Sequence, residues 1–324
     1  SLSLAACGGS SSSSAPATSG GEGSSAYPKM TIKVSTSGQD QGIDALAAKH
    51  FGELVEEASG GQITVEVYPN CQLAGGDMSK LIELLVGSGS VLGNVDEKFL
   101  THSIPFLFES YDEAASYMDG TGGEYYTKLM AEKGIVYMSG MYNGLRQLTT
   151  QDVVVDSPED LSGLRIRVPS GEVYMRTLTD MGGDPVAMNW SETFTALQQG
   201  TLDGHENGYQ TIYSANIQEV QNCITEWNWS FDGYWFMANQ KDWDKMDPAV
   251  QELLMEKAQE AAQWGRDKLV ADEKQIKEDF IASGITITEL TPEQHQAFVD
   301  AARPAQEYFM EKFGAEACTA WGLE

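Results

Sequence analysis

From Lys29 onward the apolar and polar positions alternate between two periods. "MTIKVST" (30–36) alternates residue by residue, "IDALAAKHFGELVEEASGG" (43–61) carries apolar residues at helical spacing and ends in glycines, and "QITVEVYP" (62–69) alternates again. This is a β-α-β unit, hence a parallel pair, and its continuation argues an α/β domain with helices on both faces of the sheet. "DMSKLIELLVGSGS" (77–90) reads as a second helix closed by Gly87, and "VLGNVD" (91–96) as a short strand running into a polar tip.

A helical stretch, "EYYTKLMAEKG", leads to "IVYMSGMYNGLRQLTT" (135–150), which reads as strand, turn, strand. "SPEDLSGLRIRVP" (157–169) supplies a turn and a strand stopped at Pro169, "GEVYMRTLTDMGG" a helix, and "DPVAMNW" an extended segment. "SETFTALQQG" (191–200) is a short helix with Ser191 as expected N-cap and Gly200 just past its end, and "DGHENG" (203–208) reads as a polar turn. A second α/β unit therefore begins near Asn143. From Asp247 to Ser283 the helical pattern continues, broken by Gly265. At about 1.5 Å per residue such a helix is on the order of 50 Å long, enough to brace two lobes.

Length points the same way, since 324 residues exceed the size at which one core usually divides. The balance of 20 Lys+Arg against 48 Asp+Glu, a net charge of −28, makes nucleic acid and anionic membrane poor partners for the folded part. No run of 18 apolar residues occurs. The first 28 residues are rich in Gly and Ser and read as a flexible tether. Within them Leu4-Ala5-Ala6-Cys7 resembles a bacterial lipobox, which implies an upstream signal peptide and a lipid on Cys7 holding the protein to the outer face of a membrane. Cys71, Cys223 and Cys318 are odd in number and match no zinc spacing, so one at least is free and no metal is expected.

The chemistry concentrates in "LRIRVP" (164–169). Alternation places Arg165 and Arg167 on one face of a strand expected to be covered, so at least one guanidinium is withdrawn from water. A buried guanidinium cannot discharge by losing its proton and needs an anion, either a carboxylate of the chain or one from outside. Three of the six arginines, Arg146, Arg165 and Arg167, fall within 22 residues. That clustering favours an external carboxylate gripped bidentately. Trp190, at a strand-to-helix junction, and Asn207 would add an aromatic plane and an amide, which suits a polyhydroxy acid.

"YNGLRQLTT", "DLSGLRIRVPS", "PVAMNWSETFTALQQGTLDGHEN" and "YPNCQLAGG" together resemble, in order along the chain, the landmarks of the DctP-type solute-binding proteins of tripartite ATP-independent periplasmic (TRAP) transporters. The resemblance implies a two-lobe, periplasmic-binding-protein-like α/β fold with a hinge, and a long helix across both lobes. It also implies an extracytoplasmic protein that closes on a small organic acid and delivers it to small and large membrane subunits. It assigns Arg167 the salt bridge with the ligand carboxylate, Arg146 and Asn207 further polar contacts, Trp190 packing on the ligand, and Arg165 a solvent-facing place. Residues 29–143 and 232–270 are then expected in lobe I, and 144–231 and 271–324 in lobe II. Thr36, Asn94 and Asp96 are expected ligand contacts from their strand-end positions, and Tyr234 is added from the aromatic segment "TEWNWSFDGYW".

That segment carries Trp229 where many relatives have a histidine, so an aromatic pocket rim is expected. Cys71 and Gly208 are further departures. The rival reading is a secreted enzyme on organic acids or sugars, using His205 and Glu206 beside Asp203 as an acid/base cluster. No nucleophile elbow, phosphate loop or metal spacing accompanies them, and no cofactor is expected. An adhesion protein would not need buried arginines. Among organic acids, Trp190 and the polar strand tips favour a sugar acid over a small dicarboxylate.

Overall fold

The computed structural model describes residues 26–74 and 83–324, and within them eleven strands form two separate sheets. In chain order these are β1 (Met30–Thr36), β2 (Ile63–Tyr68), β3 (Leu84–Ser88), β4 (Ile135–Leu145), β5 (Gln147–Thr150) and β6 (Arg165–Val168), then β7 (Asp184–Ala187), β8 (Gly204–Asn207), β9 (Cys223–Glu226), β10 (Phe231–Asn239) and β11 (Thr286–Glu289). The first sheet runs β2-β1-β3-β10-β4 and the second β11-β9-β5-β8-β6-β7. The expected β-α-β unit is present, with β1 and β2 parallel and helix Ile43–Ala58 between them in sequence.

The backbone passes between the sheets at two adjacent points. β4 of the first sheet becomes β5 of the second after the single residue Arg146, so the expected turn is a crossing. β9 returns to the first sheet as β10, and the crossings lie side by side, with Arg146 N–H donating to the Ser230 carbonyl at 2.8 Å. At the first crossing Gly144 has φ of 139°, and an added Cβ would sit 3.4 Å from both the Glu273 carboxylate and the Gly208 backbone. Only glycine fits that conformation in that space. Where β4 pairs with β10 the register steps from Asp232 opposite Gly144 to Gly233 opposite Tyr142. Such a bulge re-aims side chains, here Asn143 and Asp232.

A third link is helix Pro248–Ala282, 35 residues long. Its first part, Val250 to Leu269, packs in the first core, and Ile276 and Phe280 pack with Ile212 and Leu197 beneath the second sheet. Gly265 lets the helix approach β4, since a Cβ there would lie 2.7 Å from Met141 Cε. A long helix with one apolar stripe for each lobe is what the extended helical period requires. Just past helix Ala315–Ala320, Trp321 is buried in the first core.

Several local readings are corrected. Leu84–Ser88 is a strand, wholly buried between β1 and β10, because a short apolar run reads equally as helix or interior strand. The rest of that supposed helix, residues 77–82, lies outside the described residues, as do Cys7 and its tether. Gly89–Gly93 is a helical turn in place of the expected strand, and the cap of helix Trp190–Gln198 is Asn189 in place of Ser191. "GHEN" is a buried strand of the second sheet, between β5 and β6. His205 and Glu206 find partners inside the fold, Thr149 at 2.6 Å and Arg146 at 2.9 Å, which a polarity pattern cannot distinguish from a solvated turn. Cys71, Cys223 and Cys318 are free thiols.

Gly204 opens that strand, where a Cβ would meet the Thr149 carbonyl at 2.2 Å. Because the obstacle is backbone of the paired strand β5, Gly204→Ala is expected to destabilise the fold by at least about 2 kcal/mol, read as a lower urea midpoint.

Candidate functional site

Parallel strands β7, β6 and β8 end on the same side of the second sheet and carry Met188 to Trp190, Arg167 to Ser170 and Asn207 at their carboxyl ends. Facing them, the ends of β1 and β3 in the first sheet carry Ser37, Gly38, Ser88 and Ser90. Between lies a cavity of about 490 Å³. The carboxyl ends of parallel strands are where an open α/β sheet presents loops and side chains to a ligand.

Arg167 is the cation of this cavity. It is 4% exposed, and its Nε and Nη2 both donate to the Met188 carbonyl, at 3.0 and 2.8 Å. The Trp190 ring lies 5.3 Å from the guanidinium carbon, a cation–π contact. Among the described residues no carboxylate forms an ion pair with it. Of the five N–H groups of a guanidinium, both on Nη1 and one on Nη2 are left, in the fork geometry that matches a carboxylate. Burial, helped by the charge of Arg146 and opposed by that of Glu206, pushes its pKa down to about 10. Arg165 shares the strand face, but its side chain is 47% exposed and closed by Asp203, with bonds of 2.9 and 3.0 Å.

Arg146 also lines the cavity, yet its charge is already matched. Nη2 donates to Glu206 Oε1 at 2.9 Å and to the Glu206 carbonyl at 3.0 Å, Nε donates to Glu206 Oε2, and Nη1 reaches Asp232 Oδ2 at 3.3 Å. One Nη1 N–H remains. Asp232 further accepts from Asn143 Nδ2 at 2.8 Å and from the backbone of Gly89 and Gly233, and His102 Nε2 lies 3.2 Å away. Burial alone would raise Asp232, but His102, Arg146 and Asn143 hold it below the usual carboxylate range.

The other expected contacts divide. Asn207 is buried at the cavity wall with Oδ1 accepting from Gly208 N–H at 3.0 Å, so Nδ2 faces no partner among the described residues. Half-buried Trp190, buried Tyr234 and exposed Asn94 also line the space. Asp96 and Thr36 do not. Asp96 caps the turn Glu97–Ser103 and pairs with Lys133 at 2.9 Å, and Thr36 is fully buried beneath the end of β1. Trp229 is a core residue, fully buried and donating to Glu206 Oε2 at 2.9 Å, so the rim is not aromatic there. The supposed acid/base cluster does not converge. Glu206 holds Arg146, Asp203 holds Arg165 at the surface, and His205 shares a 2.6 Å bond with Thr149 while burial and both arginines push its pKa well below the ordinary value. No group of residues suited to hold a metal occurs among the described residues.

Sequence reasoning missed Asp232 and Asn143. A signal existed, since Asp232 is the one charged residue in "FDGYWFMA", and a lone acid in a buried strand must be paired inside. It also missed Gln210, which reaches from the second lobe to the first: its Nε2 donates to the Gln41 carbonyl at 3.0 Å and its Oε1 accepts from Ile43 N–H at 3.1 Å. Helix Ile43–Ala58 has no side-chain cap of its own, so Gln210 satisfies its first N–H from across the cleft.

The sequence model of the DctP family, bacterial extracellular solute-binding proteins of family 7, matches residues 34–312. The C4-dicarboxylate-binding periplasmic protein DctP of Shewanella loihica is 31% identical over 277 residues, 83% of this chain and 82% of its own length. A TRAP periplasmic solute-binding protein of Shewanella oneidensis, solved with bound succinate, superposes with a TM-score of 0.84 at 27% identity, covering 91% of this chain and 98% of its own. Another from a Polaromonas species, bound to D-erythronate, gives a TM-score of 0.84 at 26% identity, covering 91% and 99%.

Behind Ser37 and Gly38, the Asp44 carboxylate accepts from Gly38 N–H at 2.6 Å and from the Ser37 hydroxyl at 3.3 Å, while Oδ1 is buried without a partner. Burial outweighs these bonds and raises its pKa from 3.8 to about 6. A carboxyl raised on folding opposes folding once ionised. The penalty is absent below about pH 4, grows toward pH 6 and is constant above, on the order of 2–3 kcal/mol. Asp44→Asn is expected to lack that loss, seen as a smaller fall in urea midpoint than wild type between pH 4 and 7.

Proposed function

Because the chain belongs to family 7 of the bacterial extracellular solute-binding proteins, the DctP family, we propose that it captures a sugar acid with one carboxylate on Arg167 and delivers it to a TRAP membrane permease. Membership makes it an extracytoplasmic binding protein and not an enzyme. The observation that carries the reading of its ligand is Arg167, a buried guanidinium with three N–H groups unengaged and no ion-pair partner among the described residues. Leaving such a charge dry without an anion costs several kcal/mol, which an entering carboxylate recovers.

The rest of the cavity supports a hydroxylated chain behind that carboxylate. Ser88, Ser90, Asn94, Asn207 and Thr211 present hydroxyls and amides, and Arg146 offers one neutralised donor. Trp190, seated over Arg167, offers its ring to the ligand's carbon face. Capture then proceeds as the acid docks on the second lobe and the first closes over its hydroxyls, a closure driven by contacts made to both lobes at once. The proposed moving bodies are residues 29–143 and 232–270 against 144–231 and 271–324, with the Trp321 end strapped to the first. Cys7 and the tether following it support attachment to the outer membrane face beside the small and large transporter subunits.

Thermal shift with uronates, aldonates, keto acids and C4 dicarboxylates tests the reading. A sugar acid is expected to stabilise wild type and to leave Arg167→Ala and Arg167→Lys unmoved, because a point charge cannot replace the planar fork. The loss in binding is about 3–5 kcal/mol, roughly two to four orders of magnitude in Kd. Equal stabilisation of wild type and Arg167→Ala would refute it.

A further inference from the structure

We propose that His205 is a positioning residue of the binding site, an uncharged ring stacked against Trp190 that props the indole over Arg167. This rests on the reading of Arg167 as the carboxylate receptor with Trp190 seated over it. His205 is the middle member of a rung across three strands, paired with Thr149 of β5 on one side and with Arg167 of β6 on the other. In-register side chains of neighbouring strands project from the same face of a sheet, so the imidazole and the guanidinium stand side by side. Trp190 covers both, its ring 5.9 Å from the imidazole at an interplanar angle of 28° and 5.3 Å from the guanidinium carbon.

The hydrogen bonds fix the state of this ring. Thr149 has one hydroxyl proton and gives it to Gln221 Oε1 at 2.9 Å, so in the 2.6 Å contact with Thr149 the donor is His205 Nδ1. Nε2 then carries a bare lone pair, fully buried and without a partner among the described residues. Burial, followed by the charges of Arg167 and Arg146, keeps a second proton off. The imidazole is therefore an uncharged plate anchored at one nitrogen. A buried nitrogen left unpaired opposes folding, and a smaller amide could make the Thr149 bond without a ring, so the contact with Trp190 is what the ring adds. Trp190 has need of it: it opens helix Trp190–Gln198, whose cap Asn189 makes no side-chain bond, and it is only half-buried at the cavity wall. A cation–π contact engages none of the guanidinium N–H groups, so Arg167 is held while its fork stays open to a carboxylate.

Two substitutions separate the anchor from the plate: His205→Asn keeps a donor for Thr149 and removes the ring, whereas His205→Phe keeps a ring and removes the donor. With 5-fluorotryptophan incorporated, the fluorine resonance of Trp190 is assigned by its loss in Trp190→Phe. In the ligand-free protein it is expected to move and broaden in His205→Asn and to stay a single sharp line in His205→Phe. Binding of D-glucuronate, galactonate, D-erythronate and succinate is measured by calorimetry. For each acid that wild type binds, His205→Asn is expected to weaken binding about three- to tenfold and His205→Phe less than about twofold. In the Trp190→Ala background, His205→Asn should change Kd by less than about twofold, because the plate then has nothing to support. An unmoved Trp190 resonance in folded His205→Asn, equal weakening by His205→Phe, or losses that multiply in the double variant overturn the proposal. His205→Gln carries the same test should His205→Asn not fold, and the fluorine resonance decides by itself should none of the acids bind wild type. Binding abolished in Arg167→Ala together with multiplying losses refutes the role of His205 while leaving Arg167 as receptor. Binding of every acid undiminished in Arg167→Ala refutes the underlying reading and this proposal with it.

Discussion

The structure depends on a buried knot of charge where the backbone crosses between its sheets. Arg146 is the single residue between β4 and β5, and Asp232 stands at the bulge where β10 begins, so their contact ties both crossings together. Glu206, on the interior strand β8, completes the knot from the second sheet. Ion pairs this deep repay their desolvation only when nearly all their polar groups are satisfied, and here backbone amides, Asn143, His102 and Trp229 add bonds to the two carboxylates, leaving a single Arg146 N–H at the cavity. The cost of losing any member is that of an uncompensated buried charge.

Against that closed cluster Arg167 stands apart. It sits one strand away, in register with His205, and its partner is a peptide carbonyl and not an acid. The two guanidiniums thus stand in unlike surroundings: one fastens the crossing, and the other, held by Met188 and Trp190 without an acid of the described chain, is the one proposed to take an anion from outside.

Much of this was legible beforehand. The β-α-β start, the long bracing helix and the withdrawn arginine of "LRIRVP" follow from period, length and the scarcity of arginine. Where the reading failed, the cause was an interaction that leaves no periodic trace. "LLVGS" looks like any apolar run, and only its neighbours β1 and β10 make it a strand. "GHEN" looks solvated because its partners, Arg146 and Thr149, lie 55 residues or more away in sequence. Asp96 appeared to be a strand-end ligand contact, but its side chain serves a local turn and Lys133. Trp229 was placed at the rim by comparison with a histidine, although an indole N–H aimed at Glu206 is a core role.

Gln210 carries a consequence for how such a molecule changes over generations. Its amide finishes a helix that belongs to the opposite half of the protein, while the position before that helix is Gly42, which has no side chain to do so. The two halves therefore do not accumulate substitutions independently. A replacement at 210 is felt first at the amino end of Ile43–Ala58, and position 42 has no room to take over the role, because a Cβ there would lie 2.8 Å from Asp44 Oδ1 and 3.0 Å from the Gln39 carbonyl.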